Sequence, residues 1–461
     1  MSQSKFSELP LKPELLNNLG SLGYESMTPI QAQSLPDIIA GKDVLGQAKT
    51  GSGKTAAFGL GLLNKLDVKR FRIQSVVLCP TRELADQVAQ ELRKLARAIH
   101  NIKILTLCGG MPFGPQVGSL EHGAHIIVGT PGRIEDHLGK GTLKLDDVNL
   151  LILDEADRML EMGFQTALDY ITDRMPEDRQ TLLFSATYPP KIQQISARIM
   201  QSPLIVKVEA EHDTSTISQH FYHVDDNEQR LQAVRLLLLE HAPESCVIFC
   251  NTKKDAQELL DRLLGFGFSA LALHGDLEQR DRDLTLVRFA NKSANVLVAT
   301  DVAARGLDID NLDAVINYHV ANDTEVHTHR VGRTGRAGAK GFAFSIYSDK
   351  ESYKMALLSD YLGRDLTPES LPSEDVLNRL PNRPAMVTLQ ITGGKRDKVR
   401  PGDILGALTA DKSLTADQVG KIKVTANSSF VAIARKVHKL ALNKLSQGKI
   451  KGRNFRVRIV N

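Results

Sequence analysis

Short, almost continuously apolar runs alternate with amphipathic stretches along most of the chain. Up to about Val208 the runs are "SVVLCP", "IKILTLC", "HIIVGTP", "NLLILDE" and "QTLLFSAT"; beyond it they are "SCVIFCNT", "SALALHGD", "NVLVATD", "DAVINYHV" and "GFAFSIYS". Runs that are apolar at every position are typical of parallel strands buried on both faces. The pattern therefore predicts two tandem α/β domains, each with a parallel sheet covered by helices.

The end of the chain has a different pattern. From Ala385 the order is strand "AMVTLQITGG", helix "PGDILGALTA", strand "GKIKVTAN", strand "SSFVAIA", helix "RKVHKLALNKLSQG" and strand "RNFRVRIV". This β-α-β-β-α-β order predicts a split ferredoxin-like fold, which RNA-recognition modules also use. Only Phe430 remains where a typical RNA-recognition motif has several aromatic residues, so we do not expect base stacking on the sheet face.

Two polar segments divide the chain into domains. The stretch "EAEHDTST" lacks periodicity, and four prolines interrupt the residues after Leu366. A chain of 461 residues is also long enough for two to three cores. We expect a first domain at 1–208, a linker at 209–216, a second domain at 217–367, a linker at 368–384 and a C-terminal domain at 385–461.

Composition indicates a folded protein that neither enters nor binds a membrane. Apolar residues make up 42% and charged residues 24% of the chain. The sequence contains no apolar run of roughly 18–20 residues and no basic segment followed by an apolar one at its start. The four cysteines lie inside apolar runs without metal-binding spacing, so we expect buried, reduced thiols and a cytoplasmic location.

Charge is distributed very unevenly. The whole chain has a formal charge of +4, but residues 385–461 contain sixteen Lys and Arg against four Asp, a formal +12. The remainder of the chain is therefore at −8. An excess this large in a small domain favours a polyanion-binding module, in particular one for nucleic acid, over a merely soluble surface.

The sequence "AKTGSGKT" (Ala48–Thr55) has the features of a phosphate-binding loop. It follows the strand-like "DVLGQ" and precedes an apolar helix, the context that such a loop requires. Glycines let backbone amides approach the phosphates, while Lys54 would reach the β and γ phosphates and the Thr55 hydroxyl would bind Mg²⁺. Ala48 replaces the first glycine of the strict pattern, and a small residue still permits the turn. The expected nucleotide contacts in this loop are Ala48, Lys49, Thr50, Gly51, Ser52, Gly53, Lys54 and Thr55.

Two adjacent carboxylates follow the buried strand "LLILD", where open α/β sheets bind ligands. We expect Asp154 to coordinate Mg²⁺ together with Thr55, and Glu155 to orient and deprotonate the attacking water. The loop and the carboxylates together predict a nucleoside triphosphate hydrolase.

From residue 6 to residue 367 the chain resembles the DEAD-box family of ATP-dependent RNA helicases. Asp154-Glu155-Ala156-Asp157 is the tetrapeptide that names the family, and other family motifs follow one another in order. These are "GYESMTPIQ" (Gly23–Gln31), "PTRELADQ" (Pro80–Gln87), Gly109-Gly110, "TPGR" (Thr130–Arg133), "SAT" (Ser185–Thr187), "ATDVAARGLD" (Ala299–Asp308) and "HRVGRTGR" (His329–Arg336). The resemblance implies two RecA-like domains, ATP and Mg²⁺ as cofactors, and RNA as partner.

The same resemblance implies roles for individual residues. Phe6, Tyr24, Thr28 and Gln31 would read adenine, because the Gln31 amide can both donate to and accept from the base. Asp308 would hold the ribose. Arg333 and Arg336 would be arginine fingers at the γ-phosphate, and with Lys54, Asp154 and Glu155 they form the expected catalytic set. Asp157, Ser185, Thr187 and His329 would couple the ATP state to RNA. The expected RNA contacts are Pro80, Thr81, Arg82, Gly110, Thr130, Pro131, Gly132, Arg133, Asn251, Gln279, Arg282, Thr300 and Arg305.

In the C-terminal domain, "RPGDILGALT" and "GKIKG" resemble bacterial family members that act on large-subunit ribosomal RNA. The resemblance implies that this domain binds a hairpin of 23S rRNA and delivers the helicase to neighbouring duplexes in a precursor of the large ribosomal subunit. We expect recognition through basic loops, helix edges and the last strand. The candidate residues are Lys395, Arg396, Lys398, Arg400, Lys449, Lys451, Arg453, Arg456 and Arg458.

The function expected from the sequence is RNA-stimulated ATP hydrolysis coupled to local unwinding of short RNA duplexes, by a monomer. Two alternatives remain open: an ATP-gated RNA clamp that seldom unwinds, and a DNA helicase with the same architecture. Glu155, Arg333 and Arg336 argue against an inert clamp, and "GYESMTPIQ" with the DEAD tetrapeptide disfavours a DNA helicase.

Overall fold

The computed structural model describes residues 4–48, 51–208, 217–304, 312–335 and 340–460. They form two compact units, one containing the described residues through Val208 and the other those from Ile217 onwards. Among the described residues, no helix combines the length and apolar character needed to span a bilayer.

The first unit is built on a parallel sheet of seven strands in the order β3-β4-β2-β5-β6-β1-β7. The five apolar runs predicted as strands are all present. The strands are β1 (Val44–Gln47), β2 (Ser75–Leu78), β3 (Ile104–Leu107), β4 (Ile126–Gly129), β5 (Leu150–Asp154), β6 (Gln180–Ser185) and β7 (Leu204–Lys207).

Helices cover both faces of this sheet, as the apolar runs required. They are α1 (Pro13–Ser21), α2 (Pro29–Ile39), α3 (Lys54–Lys65), α4 (Arg82–Leu95), α5 (Phe113–Glu121), α6 (Pro131–Gly139), α7 (Ala156–Glu161), α8 (Gln165–Thr172) and α9 (Pro190–Ile199).

The second unit contains a parallel sheet of six strands in the order β10-β11-β9-β12-β13-β8. Its strands are β8 (Ile217–His223), β9 (Cys246–Cys250), β10 (Ala270–Leu273), β11 (Val296–Thr300), β12 (Ala314–Asn317) and β13 (Gly341–Tyr347). The helices are α10 (Asn227–His241), α11 (Lys253–Gly265), α12 (Gln279–Ala290), α13 (Asp301–Ala304), α14 (Thr324–Val331) and α15 (Ser352–Leu362).

The C-terminal domain belongs to the second unit and has the predicted β-α-β-β-α-β order. Its elements are β14 (Met386–Ile391), α16 (Pro401–Thr409), β15 (Val419–Val424), β16 (Ser429–Ala434), α17 (His438–Gln447) and β17 (Val457–Ile459). The strands form an antiparallel sheet in the order β15-β16-β14-β17, with both helices packed against one face. The predicted fold class, two RecA-like parallel-sheet domains and a split ferredoxin-like domain, is confirmed.

The other face of this small sheet packs against α12 of the second α/β domain. Phe430 and Val460 are buried against Val287. The hydroxyl of Thr388, on the same face, accepts a hydrogen bond from Asn291 Nδ2 at 3.1 Å and contacts the hydroxyl of Ser293 at 2.6 Å. The lone aromatic of the third strand is therefore part of a contact within the chain, in agreement with the expectation that bases do not stack on it.

Two features were not predicted. The edge strands β7 and β8 were not predicted: β7 is a run of only four residues, three of them exposed, and polar residues interrupt the apolar pattern of β8. The segment 368–384, expected as a linker, packs along the second α/β domain. Val376 is buried in that domain's core, and the Glu369 amide donates to the Phe221 carbonyl. All four cysteines are buried free thiols, as predicted.

Candidate ATP site and RNA-binding surfaces

The phosphate-binding loop connects the end of β1 to the start of α3, the predicted strand–loop–helix arrangement. Gly51 and Gly53 have φ angles of 83° and 93°, a left-handed conformation that side chains disfavour. Lys54 begins α3, so the amides of its first turn lack partners within the helix and suit an anion. Lys49 and Thr50 lie outside the described residues.

Gln31 joins the predicted adenine-reading segment to this loop. Its amide nitrogen donates to the Gly53 carbonyl at 3.1 Å, and its amide oxygen accepts from the Thr28 backbone at 2.9 Å. A Cβ atom on Gly53 would lie 2.5 Å from the Gln31 nitrogen, so Gly53 also provides room for this contact. Phe6 is buried and meets the ring of Tyr24 edge-on at 6.3 Å. That these residues read adenine stays a prediction.

Lys54 and Asp154 are buried charges at the centre of the site. They are 6% and 3% exposed, and Lys54 Nζ has no hydrogen-bond partner among the described residues. Burial raises the pKa of Asp154 to about 6, against the opposing effect of the Lys54 ammonium and with the support of the Glu155 carboxylate. A buried ammonium without an anion costs free energy, so this geometry is suited to bound phosphate.

The carboxylates after Asp154 have separate structural roles. Glu155 has a φ angle of 51°, a left-handed conformation that is uncommon outside glycine and turns the chain from β5 into α7. Asp157 accepts hydrogen bonds from the Thr187 backbone at 3.0 Å and from the Thr187 hydroxyl at 2.9 Å. At the end of β6, the Ser185 carbonyl accepts from the Ala48 amide at 3.0 Å. The "SAT" segment thus contacts both the carboxylate segment and the phosphate-binding loop.

The loops expected to contact RNA in the first unit meet at the carboxyl ends of β2, β3 and β4. The Arg82 guanidinium covers Gly110, where an added Cβ would lie 1.7 Å from Arg82 Nη1. Arg133 Nη1 donates to the Met111 carbonyl at 3.0 Å. Thr81 caps α4 by accepting from the Leu84 amide. The structure therefore brings Pro80–Arg82, Gly110 and Thr130–Arg133 together.

In the second unit a buried arginine organises the corresponding strand ends. Arg330 donates to both oxygens of Asp301 at 2.7 Å, to Asn251 Oδ1 at 3.0 Å and to the His319 carbonyl at 2.8 Å. It thereby connects the ends of β9, β11 and β12 and the start of α13. The sequence showed Arg330 as one of three arginines at three-residue spacing, but its partners are distant along the chain, and this role was missed.

The other expected residues of this unit occupy the same strand ends and the adjoining helices. Arg282 donates to the Ala303 carbonyl at 2.8 Å, and Gln279 donates to Asp283 on α12 at 2.8 Å. Thr300 ends β11. His329 lies on α14 and Arg333 follows it. Arg305, Asp308 and Arg336 lie outside the described residues.

All nine basic candidates of the C-terminal domain are exposed. The loops that carry Lys398 and Lys451 are in contact, because Lys451 Nζ donates to the Lys398 carbonyl at 3.0 Å. Both lysines have a left-handed backbone conformation. Arg458 lies on the sheet face and donates to Gln390 at 2.9 Å. The loops 395–400 and 449–453 therefore form one basic surface.

Three domain families match the chain in succession. The DEAD/DEAH box helicase family matches residues 28–195, the helicase conserved C-terminal domain matches 229–338, and the DbpA RNA-binding domain matches 388–459. The chain is also 54% identical to the ATP-dependent RNA helicase DbpA of Escherichia coli K12, over 98% of both chains.

This chain belongs to the DEAD-box ATP-dependent RNA helicases. Its RNA-binding domain makes it a DEAD-box helicase of the DbpA type, and as such it uses ATP and binds RNA. A second DEAD-box helicase, CshA of Listeria monocytogenes, is 41% identical over 81% of this chain and 71% of its own.

DEAD-box helicases of known structure share the fold. Dbp5 of Saccharomyces cerevisiae bound to RNA and ADP BeF3 is 30% identical, with a TM-score of 0.71, and covers 81% of this chain and 96% of its own.

Proposed function

We propose that this DEAD-box helicase unwinds short duplexes locally in 23S rRNA during assembly of the large ribosomal subunit, and that its C-terminal domain recognises an rRNA hairpin. It would do so in the cytoplasm as a monomer. The observation that carries the proposal is the basic C-terminal domain seated on α12, with its two basic loops exposed. A domain fixed to the second α/β domain can deliver the helicase to RNA next to the hairpin that it binds.

The residues of the ATP site fit a magnesium nucleotide. The Thr55 hydroxyl and the buried Asp154 carboxylate are hard oxygen ligands of the kind Mg²⁺ prefers, and the unpartnered Lys54 ammonium suits the phosphates. When bound, the ion would neutralise charge on the β and γ phosphates. Lys54 would bind the same phosphates, and Glu155 would orient a water molecule and accept its proton.

Arg333 and Arg336 would stabilise negative charge on the γ-phosphate when RNA favours the active state. The support for this role is the resemblance of the segment His329–Arg336 to a motif of the DEAD-box family. An arginine finger contributes about 10³–10⁵ in rate, so RNA-dependent engagement of the two arginines would make hydrolysis depend on RNA. Asp308 would hold the ribose in the same state.

Asp157 and Thr187 support the proposed coupling between nucleotide and RNA. Two hydrogen bonds connect Asp157 to Thr187, the last residue of the "SAT" segment. The first residue of that segment, Ser185, bonds to the phosphate-binding loop. A change in the nucleotide state at Ala48–Thr55 would therefore reach Ser185–Thr187 through direct contacts. His329 would act with them in the second domain.

The expected RNA contacts of the core are mainly to the phosphate backbone. Backbone amides at glycines and guanidinium groups such as Arg82 and Arg133 recognise phosphate without reading bases. The core should therefore bind RNA with little sequence preference, and discrimination would come from the C-terminal domain.

The test compares ATPase stimulation by a 23S rRNA fragment containing the hairpin with stimulation by an unrelated RNA. Removing the whole domain would expose the apolar side of α12, so charge variants of the full chain are preferable. We expect Lys398→Ala with Lys451→Ala to raise the rRNA concentration for half-maximal activity about tenfold and to leave the unrelated RNA unchanged.

The matched control is Lys439→Ala, which removes an exposed charge from α17 of the same domain. It should behave as the unaltered chain. Equal loss with both RNAs would mean that the two loops bind RNA without targeting. Stimulation of the unaltered chain by both RNAs at equal concentrations would contradict the rRNA proposal itself.

A further inference from the structure

A histidine on α6 is buried beside the loops that we propose as RNA contacts, and no catalytic step uses it. His137 is fully buried, and both of its ring nitrogens have partners. Nε2 lies 3.0 Å from Gln116 Oε1, and Nδ1 lies 2.8 Å from the Thr142 hydroxyl. The Gln116 amide nitrogen in turn donates to the Cys108 carbonyl at 3.0 Å.

The directions of the hydrogen bonds through Gln116 follow from its contact with Cys108. A carbonyl oxygen only accepts, so the Cys108 carbonyl requires the Gln116 nitrogen and turns the Gln116 oxygen towards His137. His137 Nε2 must therefore carry a proton. Burial lowers the pKa of His137, as do the nearby Arg133 and Lys140 cations, which favours a neutral ring. In neutral His137 the Nδ1 atom is an acceptor, so the Thr142 hydroxyl shares its single proton between Nδ1 at 2.8 Å and the His137 backbone carbonyl at 3.1 Å.

A second contact connects the same imidazole to the segment after Gly110. The Phe113 ring stacks on His137 with centroids 4.1 Å apart and an interplanar angle of 17°. Lys140 Nζ lies 4.1 Å from the Phe113 centroid, and the Arg133 guanidinium lies 5.6 Å from it. The Phe113 ring, three residues after Gly110, is thus held by the buried histidine, by Arg133 of α6 and by Lys140 just after the end of α6.

The two contacts have a common consequence. Cys108 directly precedes Gly109-Gly110, and Phe113 follows them three residues after Gly110, so His137 holds this segment from both sides. Arg133, on the same helix as His137, donates to the Met111 carbonyl within the segment. The position of Gly110 and the position of Arg133 consequently both depend on the contacts of His137.

We propose that His137 is a positioning residue for RNA: it fixes the segment 108–113 against α6, so that Gly110 and Arg133 form one preformed surface for the RNA backbone. The inference rests on the proposed RNA-binding role of these loops. Preformed contacts bind more tightly because less ordering is needed on association. The effect of His137 should therefore be on RNA affinity and not on the chemistry of hydrolysis.

The test measures ATPase activity of the full chain against the concentration of single-stranded RNA at saturating ATP. His137→Phe keeps an aromatic ring for stacking and removes both hydrogen bonds. We expect the half-saturating RNA concentration to rise about tenfold, with kcat at saturating RNA, basal activity and KM for ATP unchanged. His100→Phe, at an exposed histidine of the same unit, should change nothing.

A second variant tests the same role in case His137→Phe fails to fold. Phe113→Leu removes the stacking and leaves the hydrogen-bonded chain, so it should raise the half-saturating RNA concentration about threefold with the melting temperature retained. If both variants bind RNA as the unaltered chain does, His137 is only a core residue and the inference is wrong. Reduced kcat at saturating RNA would also contradict it.

A double-mutant cycle separates this inference from the proposed function. Arg133→Ala alone should weaken RNA binding, and adding His137→Phe should then have less than its single effect, because both act on one surface. Fully additive effects would overturn the positioning role. If Arg133→Ala leaves RNA binding unchanged, the proposed RNA contact fails instead.

Discussion

The ATP site and the C-terminal domain differ in how deeply their charged side chains are buried. Lys54 and Asp154 are almost completely buried and stand at fixed positions in one loop and at one strand end. The basic candidates of the C-terminal domain are all exposed and are spread over several loops and the last strand. No neighbouring side chain can take over the role of a buried charge, whereas several exposed charges contribute together to binding a polyanion. Single substitutions should thus have large effects in the first region and small ones in the second.

The largest effect is expected for Lys54→Ala. Loss of the buried ammonium removes the main charge aimed at the phosphates and should lower RNA-stimulated kcat by about 10³-fold. Because Lys54 also lowers the pKa of Asp154, its removal should raise that pKa further and weaken binding of a metal-bound nucleotide at pH 6 more than at pH 8. Steady-state ATPase and nucleotide titrations at both pH values measure this. Turnover within tenfold of the unaltered chain would be incompatible with the assigned site.

Glu155→Gln should have the next largest effect. The amide keeps the shape of the side chain but cannot accept a proton, so kcat should fall about 10²–10⁴-fold while ATP and RNA still bind. Single-turnover hydrolysis measures the loss of the chemical step, and equilibrium RNA binding measures whether binding is retained. Glu121→Gln, an exposed residue at the end of α5, is the matched control. Normal turnover by Glu155→Gln would exclude it as the base.

The sequence predicted those features of the fold and of the ATP site whose residues are close neighbours along the chain. The strand–loop–helix around Lys54 and the strand end at Asp154 were predictable because their chemistry is encoded in neighbouring residues. The contacts of Gln31 with Gly53, of Arg330 with Asp301 and of Thr388 with Asn291 join residues distant along the chain. No local periodicity encodes such pairs, so they became visible only in the folded structure.

The exposed charges of the C-terminal domain should act as a sum. If about six of them contact phosphate, the logarithm of RNA affinity should fall with the logarithm of salt concentration at a slope near −5 on the duplex scale. Replacing Lys395 and Arg396 by Ala should reduce the steepness by about two units, and each alone by about one. Fluorescence titrations between low and moderate salt measure these slopes. A slope that does not respond to either residue would mean that neither contacts phosphate.

The smallest effect concerns the contact that joins the two regions of the second unit. Thr388→Val keeps the shape of the side chain and removes the oxygen that Asn291 and Ser293 contact, leaving a buried amide without its acceptor. Local stability should fall by about 1–2 kcal/mol, which corresponds to roughly 5- to 30-fold faster hydrogen exchange in β14 and the C-terminal part of α12. Exchange measured by mass spectrometry over these segments tests this.

Thr409→Val is the matched control for Thr388→Val, since within the described part of the chain the Thr409 hydroxyl bonds to the Leu405 carbonyl of the same helix, α16, and to no residue of α12. It should leave exchange in α12 unchanged. If Thr388→Val also leaves α12 unchanged, the polar contact does not secure the domain, and the apolar cluster of Val287, Phe430 and Val460 must do so alone. Substituting Val287 by Ala would then loosen the domain by itself. In both cases the basic loops would be fixed relative to the second α/β domain by a few buried groups, so even the distributed charges of the C-terminal domain depend on a small, specific core.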